Sequence, residues 1–176
     1  MRFWEVAGTS HTSIQGRTVR QKLLDRDNII SRKVESAINA IPIGPVYDVI
    51  YEHMQRWLTD GTLPPVFPGI DFEGTPPSPK RDEYGIAAGG IRLPQVEVPL
   101  AKNSAIPLGE DIFSLLGGSS YPFPPEQLEA LYGDKERFLA LFSHAAKAAI
   151  ANGAMTSRAF DQLILEAAES WDCIVN

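Results

Sequence analysis

The chain has 176 residues, 44 % apolar and 22 % charged, enough for one domain with its own core. Its net charge is −6, from 22 acidic against 16 basic residues, and no Lys/Arg block exceeds two (Arg32-Lys33, Lys80-Arg81), which argues against nucleic acid and anionic membranes as partners. The single cysteine, Cys173, excludes an internal disulfide and a cysteine-based metal site, and no run of about 18 apolar residues is present to span a membrane.

Taken in chain order, Phe3, Trp4 and Val6 have strand propensity and stop at Ala7-Gly8. Bulky neighbours on both sides predict a short core strand buried on both faces, which needs a sheet to join. Arg2 and Glu5 interrupt any apolar stretch of the secretory kind, and the sequence leaves the compartment unknown. His11 falls on the loop beyond the glycine. Residues 12–43 are polar and weakly patterned, and we expect a long loop or lid, with short helical turns between Val19 and Val34.

Pro45, after Gly44, opens a clear helix. Val46, Val49, Ile50, His53, Met54, Trp57 and Leu58 share one face, and Gly61 followed by Pro64-Pro65 ends it. From Thr62 to Tyr84, prolines and glycines impose an extended, irregular path. Ile91 and Leu93, then Val96, Val98 and Leu100, alternate around Pro94 and Pro99, which predicts an edge strand or an extended packing segment.

The C-terminal third reads as helical. Pro125–Tyr132 is a short helix with Leu128 and Leu131 inward. Asp134 caps a longer one with Phe138, Leu141, Phe142, Ala145 and Ala149 on its face, ending before Gly153. Thr156 caps the last, where Phe160, Leu163, Ile164, Ala167, Ala168 and Trp171 form a stripe. The short Gly153-Ala154-Met155 turn makes these two an antiparallel hairpin.

His11 is the candidate catalytic residue. On a loop directly after a strand, one ring nitrogen can take a nucleophile's proton while the other bonds a carboxylate. Gly8 supplies the tight exit, and Thr9 and Ser10 can hold the loop backbone. The plain alternative is a loop histidine without a role. No G-x-S-x-G occurs; Gly117-Gly118-Ser119-Ser120-Tyr121 lacks the second glycine and reads as a turn before Pro122. Cys173 reads as a buried structural thiol, His53 as a satisfied core histidine and His144 as solvated. No histidine has a partner at i+3 or i+4, and Gly85-Ile86-Ala87-Ala88-Gly89-Gly90 leads into no Lys-Ser/Thr helix start, so neither a metal nor a cofactor is expected.

Several segments together resemble the α/β-hydrolase-domain family of bacterial serine hydrolases, whose members look like esterases with a long C-terminal extension. Phe3 to His11 is similar to that family's histidine loop, and Arg56 to Pro65 to the helix that follows. Tyr84 to Leu100 looks like its G-G-I-R-L-P-x-V-x-V-P-L signature, and Tyr121-Pro122-Phe123 with the later helices fits its tail. Lys102-Asn103-Ser104-Ala105 departs from the Tyr/Thr-Gly-rich pattern, and 12–43 matches only loosely.

The resemblance implies that His11 is the triad histidine. It implies the C-terminal portion of a serine hydrolase acting on carboxylic esters: an α/β-hydrolase fragment, mainly α, with one N-terminal core strand, an extended Pro/Gly-rich segment and a helical hairpin. Residues 1–61 then carry the last core strand, histidine loop and following helix, and 62–176 a family-specific extension. Nucleophile and acid lie in an upstream part of the same hydrolase, the partner expected beside a small ester substrate, and the isolated chain is expected to be inactive. The rival expectation is a small non-catalytic, mostly helical protein-binding module. The two-striped hairpin supports it, and an apolar strand without a partner strand opposes it.

Overall fold

A computed structural model describes residues 1–29, 38–105 and 116–176. Within them the chain is a mixed α/β molecule in which several helices are joined by two small antiparallel hairpins.

The N-terminal segment differs from the strand expected of it. Its ladder is a single parallel bridge, Val6 to Ile91, and Phe3 is 68 % exposed. The neighbour on its other side is the 64–70 segment, whose Pro64, Pro65 and Pro68 lack the N–H groups a ladder needs. Side chains replace the missing backbone bonds. Arg2 Nε donates to Pro64 O (2.9 Å), Trp4 Nε1 to Pro65 O (3.0 Å), and Ile70 N–H to Glu5 Oε2 (2.8 Å). Trp4 also stands edge-on to Phe67 and His53.

Helix α1 (Ile14–Arg26) occupies much of the stretch expected to be a loop or lid. Ser13 caps it, its hydroxyl accepting from Gly16 N–H at 3.3 Å. No apolar face announces this helix because it buries little: Ile14, Val19 and Leu23 are all exposed. Capping and helix-favouring Arg, Gln, Lys and Leu residues carry it instead. Residues 30–34 of the expected helical turns lie outside the described residues.

Helix α2 (Gly44–Asp60) runs as its periodicity requires and stops at Gly61. Only the first half of its apolar stripe is covered. Val46 and Val49 are buried, Ile50 and His53 half-buried, and Met54, Trp57 and Leu58 exposed. The Pro/Gly-rich stretch beyond is irregular, as expected, apart from a small hairpin of two-residue strands, β1 (Phe72–Glu73) and β2 (Ser78–Pro79), paired Phe72↔Pro79 and Glu73↔Ser78.

The alternation from Ile91 to Leu100 does not make a strand. Pro94 opens a single helical turn, α3 (Pro94–Glu97), because its fixed φ suits a first helical turn as well as an extended one. The turn buries Leu93, Val96 and Val98 together. Strand β3 (Ala101–Ser104) then pairs antiparallel with β4 (Ser119–Pro122), from Ala101↔Pro122 to Ser104↔Ser119. Ser119 to Pro122 is thus strand, not the turn expected there.

The C-terminal helices are α4 (Pro125–Tyr132), α5 (Lys135–Ala151) and α6 (Phe160–Val175). Asp134 caps α5 as expected, accepting from Arg137 N–H at 2.8 Å. Thr156 does not cap: a 3-10 turn (Ser157–Ala159) intervenes before α6, and the Thr156 hydroxyl is buried without a partner among the described residues. On α4 the inward pair is Leu128 and Tyr132, with Leu131 exposed; on α5, Leu141 likewise turns outward. The α5–α6 hairpin closes around fully buried Phe138, stacked on Trp171 with ring centroids 5.2 Å apart and flanked by Phe142 and Tyr132. Tyr132 donates to Pro99 O at 2.7 Å, tying the end of α4 to the segment after α3.

Candidate functional site

The loop from Gly8 to Ser13 presents His11. Gly8 has φ +77°, and a Cβ there would lie 2.8 Å from Ile41 Cδ1, so both backbone and packing demand glycine. Before the turn, Ala7 N–H donates to Ile91 O (2.9 Å) and Ile91 N–H to Glu5 O (2.7 Å). Within the loop, Thr9 Oγ1 donates to Val6 O (3.4 Å) and Ser10 Oγ to Thr12 O (3.0 Å), the bracing expected of those hydroxyls. Beyond it, Thr12 N–H donates to Leu116 O (2.9 Å), and Ser13 caps α1. The loop backbone is therefore held on every side. The imidazole itself is exposed and makes no hydrogen bond among the described residues.

Asn39 is the residue of this site that sequence reasoning missed. It is fully buried, its Nδ2 donating to Gly8 O (2.7 Å) and Ser104 O (3.0 Å) and its Oδ1 accepting from Ile41 N–H (2.9 Å). Its main chain donates to Gly117 O (2.9 Å) and accepts from Ile14 N–H (3.2 Å). One residue, through its side chain and main chain, thus joins the histidine turn, β3, the approach to β4 and the start of α1. The signal was a lone amide in the apolar run Ile38-Asn39-Ala40-Ile41.

The Gly-Gly-Ile-Arg-Leu-Pro segment acts as the clamp of this loop. A Cβ on Gly90 would sit 2.9 Å from Glu5 O, so glycine permits the close approach that lets Ile91 pair with Val6. Arg92 bonds Asp82 Oδ2 (2.8 Å), Glu97 Oε1 (2.6 Å) and Ala87 O (2.7 Å). Burial works against its charge, and the hydrogen-bonded carboxylates overcome it, holding its pKa above the ordinary value.

The other candidates fall apart from one another. His53 sits half-buried on α2, its Nε2 3.0 Å from Gly153 O, a satisfied core histidine as read. His144 is exposed on α5. Cys173 is exposed on α6, not buried, because the stripe that faces the core runs through Trp171 and leaves position 173 at its edge. Ser119 and Ser120 are buried in β4, where neither stands on a strand-to-helix elbow. Among the described residues no group of three or more His, Cys, Asp or Glu could hold a metal ion, and no helix is long and apolar enough to cross a membrane.

No curated protein and no solved structure gives a significant match to this chain. A family model described as "Alpha/beta hydrolase domain" matches residues 1–164, which take in the braced histidine loop, the Gly-Gly-Ile-Arg-Leu-Pro clamp and most of the helical hairpin. The chain belongs to the alpha/beta hydrolase domain family.

Proposed function

We propose that this chain is the C-terminal part of an α/β-hydrolase-fold serine hydrolase acting on carboxylic esters, and that His11 is its general base and acid. The observation that carries the reading is an exposed imidazole on a loop whose backbone is held at Gly8, Thr12 and Ser13, with the Ser10 hydroxyl bracing the Thr12 carbonyl. A catalytic histidine needs that combination: a rigid mount and a ring open to both a nucleophile and a carboxylate.

In the assembled enzyme a serine from the upstream part attacks the ester carbonyl carbon, and His11 takes its hydroxyl proton. The imidazolium returns that proton to the departing alkoxide as the C–O bond breaks. A water then attacks the acyl-enzyme, giving its proton to His11, which hands it back to the serine as the acid leaves. An upstream carboxylate on the second ring nitrogen holds the tautomer, and backbone N–H groups bind the oxyanion. Residues 1–61 supply the histidine loop and covering helix, and 62–176 the extension. The bare second half of the α2 stripe, with Phe3, Leu63 and Val66 also exposed, supports an upstream partner that covers this side.

Hydrolysis of p-nitrophenyl acetate by the complete enzyme, with His11 and with His11→Gln, tests the assignment. The expected loss in kcat is about 10⁴-fold or more, with little change in KM. An unchanged kcat would remove His11 from the mechanism. The chain Met1–Asn176 by itself is expected to take up no fluorophosphonate, and stoichiometric labelling of one of its own serines would overturn the division of the triad.

A further inference from the structure

We propose that Asn39 is a positioning residue of the reaction: it fixes both ends of the histidine loop and so sets where the His11 imidazole stands against the serine and the ester. The inference rests on His11 being the general base and names the residue through which that base is aimed.

The loop leaves the core at Gly8 and rejoins it at Ile14, and Asn39 meets both ends. Its Nδ2 donates to Gly8 O (2.7 Å), and its main-chain carbonyl accepts from Ile14 N–H (3.2 Å). The second Nδ2 hydrogen goes to Ser104 O (3.0 Å), and Oδ1 accepts from Ile41 N–H (2.9 Å). An amide with both donors and its acceptor engaged has one orientation, and a carboxylate in its place would set oxygen against two carbonyl oxygens. The Asn39 N–H donates to Gly117 O (2.9 Å), which anchors the residue to the approach to β4. Gly118, at φ +59°, brings that approach against the loop: a Cβ there would lie 3.0 Å from Ser10 Cβ and 3.2 Å from Asn39 Cβ. Ser10, the neighbour of His11, is thus seated on the same junction. Asn39 is fully buried, so it acts through Gly8 and Ile14 and not on the substrate. A shift of about 1 Å in the placement of a catalytic group costs on the order of 100-fold in rate, so holding the two ends of the loop is a kinetic function and not only a structural one.

The complete enzyme, assayed with p-nitrophenyl acetate well below its melting temperature, tests this. Asn39→Ala removes all three side-chain bonds; Asn39→Asp is nearly isosteric and keeps an acceptor for Ile41 N–H but loses both donors. Each is expected to lower kcat about 10- to 100-fold with KM within about twofold of the parent's. Leu128→Ala is the control for stability alone, because Leu128 is fully buried on α4 and bonds nothing in the loop. It is expected to lower the melting temperature while kcat stays within about twofold of the parent's. Parental kcat in both Asn39 variants, a loss expressed in KM alone, an equal kcat loss in Leu128→Ala, or failure of both Asn39 variants to fold would overturn the proposal. Each of these results leaves the His11 assignment standing as long as His11→Gln abolishes turnover. Full kcat in His11→Gln would instead remove the base, and the proposal with it.

Discussion

The histidine loop depends on two residues that do no chemistry. Gly8→Ala must place a Cβ 2.8 Å from Ile41 Cδ1 at φ +77°, and we expect it to cost about 2 kcal/mol. Asn39→Ala removes the bonds to Gly8 O, Ser104 O and the buried Ile41 N–H at once, and should cost about 2–4 kcal/mol. Urea titration of each variant checks both; a midpoint within error of the parent for Asn39→Ala would show that the junction does not depend on its amide. Tyr132 carries a pH dependence. Burial holds its hydroxyl well above the ordinary tyrosine pKa. Above about pH 10 an unfolded tyrosine releases a proton that folded Tyr132 keeps, so its contribution is fully present below that pH and is lost as pH rises further. The melting temperature of Tyr132→Phe should therefore fall less steeply above that pH than the parent's.

At the scale of elements, the legible helices were those with a buried stripe. Asp134 with Phe138, Phe142 and Ala149 announces α5, and Leu163, Ala167 and Trp171 announce α6, because each stripe packs on the other. Asp134→Ala should cost about 1 kcal/mol. Phe138→Ala should cost about 3–5 kcal/mol, since the ring is fully buried among Tyr132, Phe142 and Trp171. Thermal unfolding followed by circular dichroism separates these magnitudes. Helix α1 was illegible for the opposite reason: it buries almost nothing, so no period marks it. Helix α3 was misread because alternation and a single helical turn bury the same residues when Pro94 can begin either.

For the whole molecule, the exposed apolar side chains decide behaviour in solution. Phe3, Trp57, Leu58, Leu63 and Val66 all stand in solvent on the N-terminal segment, on α2 and just beyond it. The chain on its own is expected to self-associate, and the pair Leu58→Lys with Val66→Lys to reduce association without moving the α5–α6 core. Sedimentation velocity over a range of concentrations measures this. A strictly monomeric parent chain that melts in one cooperative step would favour the binding-module reading over a hydrolase part that needs its upstream partner.

Local chemistry alone determined the hairpin, the α2 helix, the irregular proline segment and the position of His11 just past a glycine turn. These depend on periodicity, capping and φ preference, which are properties of neighbours in sequence. Only the tertiary structure decided what Phe3–Val6 pairs with, since prolines far along the chain deny it a ladder and side chains of Arg2, Trp4 and Glu5 supply the bonds instead. It also decided that Asn39 is the junction beneath the histidine loop and that Gly90 and Ile91 are its clamp. Those roles come from contacts between residues tens of positions apart, and no spacing along the chain records which distant carbonyl a buried amide will reach.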